Sequence, residues 1–148
     1  MHLYGCGALG NLAYKNDNNK VMIVEAEGIT KILSAMKTRS SNANVQQFSC
    51  RSLRNLVYDD DNHQVKIVEA GVITMTLSAM QNHSSNANVQ HKICAALGTL
   101  ATDNENIVAI ASAGGKVAIE SAIRNHASNA GVNEKAHEAL SILTQSGN

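Results

Sequence analysis

"SSNANVQ" occupies residues 40–46 and returns letter for letter at 84–90, and "ASNAGVN" follows at 127–133. A polar phrase restated at 44 and then 43 residues marks an internal repeat, and a period of that length governs the reading of the whole chain. Working outward, each phrase is followed by an apolar stretch: "CRSLRNLVY" ends at Tyr58, "CAALGTLAT" at Thr102 and "HEALSILTQ" at Gln145, while "CGALGNLAY" ends at Tyr14 with no such phrase before it. Each phrase is also preceded by a second repeated segment. "VMIVEAEGITKILSAM" from Val21 to Met36 is answered by "VKIVEAGVITMTLSAM" from Val65 to Met80, with eleven of sixteen positions identical, and by the more worn "VAIASAGGKVAIESAI" from Val108 to Ile123.

Apolar residues in these segments recur at helical spacing. Val45, Ser49, Ser52, Leu53 and Leu56 share one helix face, and Val89, Ile93, Ala96, Leu97 and Leu100 are its counterpart. Asn42, Asn86 and Asn129 stand where a carboxamide oxygen can accept from the free N–H groups of a first helical turn. The recurring phrase therefore reads as a turn plus an N-cap. A shorter helix is expected after Asp17 or Asp61. Gly28, Gly71 and Gly114 or Gly115 are expected to supply the left-handed backbone that ends it. A medium helix then carries Ile32, Leu33 and Met36. The unit is short helix, sharp turn, medium helix, capped loop, long helix.

Three helices in about 40–47 residues resemble the armadillo repeat. The segment "NKVMIVEAEGITKILSAMKTRSSNANVQQFSCRSLRNLVY" is similar to one such repeat nearly throughout, and the likeness covers essentially the whole chain. It implies an all-α, armadillo-type right-handed α-solenoid in a single domain over 1–148: a partial repeat at 1–14 and repeats at about 15–58, 59–102 and 103–148. One departure is that Thr30, Thr74 and Val117 stand where the family often places Pro, and the chain has no Pro. Two-helix HEAT repeats are the alternative, against which the "AGG" turn argues.

Equal numbers of basic and acidic residues give zero formal charge, so no net field draws the chain to nucleic acid or an anionic membrane. Aromatics at 3%, with no Trp, leave few rings on which bases could stack. No run approaches the roughly 20 apolar residues of a membrane span. The opening segment lacks a basic leader, and a cytoplasmic location is expected, with the nucleus as the alternative. Cys6, Cys50 and Cys94 fall on successive equivalent helices about 8–10 Å apart, too far for a disulfide. They read as small buried thiols. His91 and Cys94 are only two donors where zinc wants three or four, so no metal and no cofactor is expected. His83 and His126 match Arg39 at the end of the medium helix and read as solvated. "GCGALG" at 5–10 lies in the long-helix pattern and reads as close packing, not a phosphate loop. No convergent nucleophile and base is evident, and the chain is expected not to be an enzyme.

In armadillo proteins the long helices line a concave groove, and in importin-α-like members a Trp and an Asn one turn apart bind extended peptides. By that resemblance the Asn position is Asn11, Asn55, Thr99 and Ile142. The Trp position is Gly7, Arg51, Ala95 and Glu138, so the aromatic walls are missing and recognition of a basic localisation signal is not implied. The ridge instead carries Gln47, Arg51, Asn55 and Asp59 with Arg54 beside it, then His91, Ala95, Thr99 and Asp103. Asn11, Gln47, Arg51, Arg54, Asn55, His91 and Thr99 are the candidate binding residues, for a protein or peptide with acidic or polar side chains. The competing reading makes these ordinary surface residues of a structural spacer or of an engineered or duplicated array.

The two ends differ. Lys116 and Glu120 replace Ile29 and Leu33 of the first copy, a polar end suited to closing a solenoid. Met1 falls at the position of Val45, so the chain is expected to be a piece of a longer array. The face around Leu3, Leu9 and Leu12 is then free for self-association.

Overall fold

The computed structural model describes residues 2–58 and 61–145. Met1, Asp59, Asp60 and residues 146–148, and the side chains of His2, Leu3, Asp61 and Asn62, lie outside the described residues. Among the described residues there are ten helices and no strand. α1 (His2–Ala13) is followed by three triplets: α2 (Asp17–Glu25), α3 (Gly28–Thr38) and α4 (Ala43–Val57); α5 (Asp61–Glu69), α6 (Val72–Asn82) and α7 (Ala87–Leu100); α8 (Asn104–Ser112), α9 (Gly115–Asn125) and α10 (Ala130–Gln145).

The long helices form one row, α1 against α4, α4 against α7 and α7 against α10, and α3, α6 and α9 form a second row beside it. This is the armadillo-type α-solenoid that the spacing of apolar residues calls for. The expected faces are buried: Val45, Ser49, Ser52, Leu53 and Leu56 in α4, and Val89, Ile93, Ala96, Leu97 and Leu100 in α7. Each fully buried aliphatic side chain contributes about 1.5–3 kcal/mol of transfer free energy. Small residues set the spacing between neighbours in the long-helix row. A Cβ on Gly10 would lie 2.5 Å from Ser52 Oγ and 3.1 Å from Ser52 Cα, so the "GCGALG" run lets α1 and α4 approach closely.

The repeated polar phrase has three jobs, of which the sequence displays two. Asn42, Asn86 and Asn129 accept from the N–H groups of Val45, Val89 and Val132 at 3.0–3.1 Å, capping α4, α7 and α10. The third job belongs to the last letter. Gln46 Nε2 donates to Met36 O and Arg39 O, and Gln90 Nε2 donates to Met80 O and His83 O. Asn133 does the same for His126 O and Ala127 O. These are C-terminal carbonyls of the preceding medium helix and its turn; Arg39 O, His83 O and His126 O also accept from the N–H groups of Asn42, Asn86 and Asn129.

Two expectations about helix ends are corrected. Asp17 is not the cap of α2: Asn16 is, its Oδ1 accepting from Asn19 N at 3.0 Å, and Asp17 pairs with Lys20 instead. In the third repeat Asp103 caps α8. Gly71 and Gly114 do hold left-handed φ values of 90° and 89°, but in the first repeat that residue is Glu27 at φ 59°, and Gly28 already lies in α3. Gly28 and Gly115 serve close approach: a Cβ there would sit 2.6 or 2.7 Å from the Ile23 or Ile110 carbonyl oxygen. A left-handed non-glycine residue stores about 1–2 kcal/mol of strain. Glu27→Gly is therefore expected to raise the unfolding free energy by roughly 0.5–1 kcal/mol after glycine's own entropy is subtracted, read by urea denaturation.

At the first repeat's outer side, Gly5, Ala8 and Leu12 are exposed, whereas their counterparts Ser49, Ser52 and Leu56 in α4 are buried. Leu9 is half-buried. Along α9, Glu120 is exposed and Lys116 half-buried where Ile29, Leu33, Ile73 and Leu77 are buried. No single helix among the described residues is long and apolar enough to cross a membrane.

Candidate functional site

The row of long helices carries a cavity of about 540 Å³. Asn11 of α1 and Tyr14 just beyond it form one wall, Arg51, Arg54 and Asn55 of α4 the floor, and His91, Lys92 and Ala95 of α7 with Lys135 of α10 the far wall. Of the residues singled out in the sequence, Asn11, Arg51, Arg54, Asn55 and His91 come together here. Thr99 lines an adjoining cavity of about 170 Å³ with Arg54, Ala95 and Lys135. Gln47 lines neither and is half-buried on α4.

Most of these side chains also tie one repeat to the next. Arg51 Nη2 donates to Asn11 Oδ1 at 3.0 Å, and the Arg51 guanidinium lies 5.1 Å from the centre of the Phe48 ring. Asn55 Nδ2 donates to Gly10 O at 3.0 Å. Arg54 Nε donates to Thr99 Oγ1 at 3.2 Å, and Thr99 in turn donates to Ala95 O. The carboxamides of Asn11 and Asn55 thus already spend part of their capacity inside the fold. The same bonds hold the two guanidinium groups in place, so a ligand does not have to order them.

The electrostatics are one-sided. No Asp or Glu lines the larger cavity among the described residues. Burial, followed by the nearby Arg51 and Arg54 charges, pushes the Lys92 ammonium below the usual lysine range. Burial, then Lys92 and Lys135, pushes His91 below the usual imidazole value against the opposing pull of Glu134. Lys135 is the exception, raised by its bonds to Glu138 and Glu134 on its own helix. Lys92 and Tyr14 were not legible as site residues because both lie off the ridge at 47, 51 and 55. Lys92 occupies the Phe48 position one residue off that ridge, and a charge replacing a ring in the next copy was the available signal.

The sequence matches the family described as LRRK2 ARM repeat over residues 2–146. The chain belongs to that family. Three engineered proteins solved by the Northeast Structural Genomics Consortium are similar to this ARM repeat chain. One is 26% identical with a TM-score of 0.81, covering 94% of this chain and 54% of its own. A second is 21% identical with a TM-score of 0.84, covering 93% and 55%, and a third is 26% identical with a TM-score of 0.79, covering 93% and 32%. The ARM repeat chain thus spans about half the length of the first two and about a third of the last. No curated protein matches it.

ARM repeats are generally non-enzymatic scaffolds. Cys6, Cys50 and Cys94 are free and buried. Burial pushes the Cys50 and Cys94 thiols up to about 12, so neither supplies a thiolate at neutral pH. Among the described residues no three His, Cys, Asp or Glu side chains are grouped as metal ligands. His83 and His126 do more than face solvent. Their Nε2 atoms bond Ser40 O at 2.7 Å and Ser84 O at 2.8 Å, each joining its turn to the turn of the preceding repeat.

Proposed function

We propose that this ARM repeat chain is a non-catalytic interaction module that holds an acidic segment of another protein along the trough of its long helices. The observation that carries the reading is the convergence of Arg51, Arg54, Lys92 and His91 on one cavity of about 540 Å³ with no carboxylate in its lining among the described residues. His91 and Lys92 are held at depressed proton affinity by burial and by neighbouring cationic side chains. An anion relieves that repulsion, and a flexible segment laid across α1, α4 and α7 reaches all four groups.

The test is titration of the isotope-labelled protein with a six-residue glutamate peptide and, separately, a six-residue lysine peptide. The glutamate peptide is expected to shift amide signals of Asn11, Arg51–Asn55 and His91–Ala95 and to leave α3, α6 and α9 unmoved. Equal responses to both peptides, or shifts scattered over the surface, would end the groove reading. The engineered character of the structural neighbours favours a second reading, an array serving as spacer or scaffold with no ligand of its own. That reading expects no localised shift with either peptide.

A further inference from the structure

Next to the charged trough lies a smaller cavity of about 210 Å³ lined by Tyr14, Lys15, Lys20, Arg54, Asn55 and Tyr58. It shares Tyr14, Arg54 and Asn55 with the trough, so the two adjoin. Tyr14 and Tyr58 end successive long helices at equivalent positions, and they are 60% and 58% exposed. Aromatic residues are scarce in this chain, and two half-exposed rings lining one hollow offer apolar faces that a third ring can cover. The third repeat has Thr102 at this position, which confines the feature to one place along the array.

The walls are built in. Lys20, almost wholly buried, donates from Nζ to Tyr58 O at 2.8 Å and to Asp17 Oδ1 at 3.0 Å, fixing the end of α4 against α2. Lys15 Nζ lies 5.2 Å from the centre of the Tyr14 ring, and the Arg54 guanidinium 5.9 Å from that of Tyr58. Each ring therefore already carries a cation, and a guanidinium stacked on one ring is a good platform for another. The volume falls below the roughly 300–1,000 Å³ of small-molecule sites. It offers room for one side chain.

We infer that the Tyr14–Tyr58 slot selects an aromatic side chain next to the carboxylates of the bound segment, so that the ligand is an acidic stretch interrupted by Phe, Tyr or Trp. The inference rests on the groove reading proposed above and adds the residue that gives it sequence preference. The carboxylates meet Arg51, Arg54 and Lys92, and the ring enters between the two tyrosines beside Arg54.

Two glutamate peptides, one with a central Phe and one with a central Ala, are titrated into the wild-type protein and into Tyr14→Ala/Tyr58→Ala. Both tyrosines are mostly exposed, so the variant is expected to fold, and its circular dichroism checks this. Wild type is expected to bind the Phe peptide about tenfold tighter than the Ala peptide. The variant is expected to bind both as wild type binds the Ala peptide. Equal affinity of wild type for the two peptides overturns the slot while leaving the groove standing; no binding of either peptide overturns both. An eight-nucleotide oligouridylate that binds wild type more tightly than the Phe peptide, and loses that binding in the variant, overturns the inference in favour of a base-stacking site.

Discussion

Gln90→Leu is expected to lower the unfolding free energy by about 2 kcal/mol, although it replaces a polar side chain by an apolar one of similar size in a buried position. Gln90 is 2% exposed. Its Nε2 donates to Met80 O at 3.0 Å, near the end of α6, and to His83 O at 2.9 Å, which also accepts from Asn86 N in the turn. Leucine fills the space and restores neither bond. Met80 O, left buried without a donor, costs about 1–3 kcal/mol; His83 O keeps Asn86 N and loses about 1 kcal/mol, and the extra burial of apolar surface recovers part of the sum. In a chain of this size the loss corresponds to a fall in Tm of roughly 4–8 °C. Because solenoid repeats couple mainly to their neighbours, hydrogen exchange should show the α6 amides losing protection before those of α3 or α9. The equivalent Asn133→Ala change should cost less, about 1 kcal/mol, since Asn133 is half-buried and water can replace it. A Gln90→Leu protein as stable as wild type would show that the amide is dispensable.

That glutamine also marks how far the sequence could be read. The period, the three helices per unit, the asparagine caps and the cysteine ladder follow from local rules: apolar spacing, a carboxamide before a helix, and small residues at equal intervals. Gln46 and Gln90 reach back ten residues to a different helix, and no local rule assigns a partner at that distance. Gly28 misled for a related reason. It resembles Gly71 as a letter, but it corresponds to Val72 and Gly115, and the left-handed residue is Glu27, a type that ordinarily avoids that backbone. The candidate site divides the same way. Arg51, Arg54 and Asn55 lie on one helix and their proximity follows from the 3.6-residue turn. Their bonds to Asn11 and Thr99, and the arrival of Lys92, Tyr14 and Lys135, depend on how neighbouring repeats are rotated against one another. A difference of one position rotates a side chain by about 100°, enough to move it from the trough to the core.

Reversing charge in the trough should produce the largest effect on binding, and its companion effect on stability distinguishes a binding site from a solvated surface. Lys92 is pushed toward its neutral form by burial and by Arg51 and Arg54, so its charge opposes the folded state. Lys92→Met should therefore raise stability slightly while weakening the glutamate peptide. Lys92→Glu replaces one attraction to the ligand by one repulsion. At about 1 kcal/mol for each partly screened pair, that is roughly 2 kcal/mol, or about 30-fold in Kd. Adding Arg54→Glu should bring the loss to about a thousandfold and flatten the salt dependence of what binding remains. His91 sets the direction of the pH dependence. Its proton affinity is depressed in the free protein, and a bound carboxylate raises it, so binding takes up a proton and strengthens as pH falls from 7.5 toward 5.5, where glutamate side chains are still ionised. His91→Gln should abolish that slope without abolishing binding. If Lys92→Met weakens the peptide but leaves stability unchanged or lower, the repulsion inferred for the empty trough is absent. If Lys92→Glu leaves the affinity intact, the acidic segment does not lie against α7.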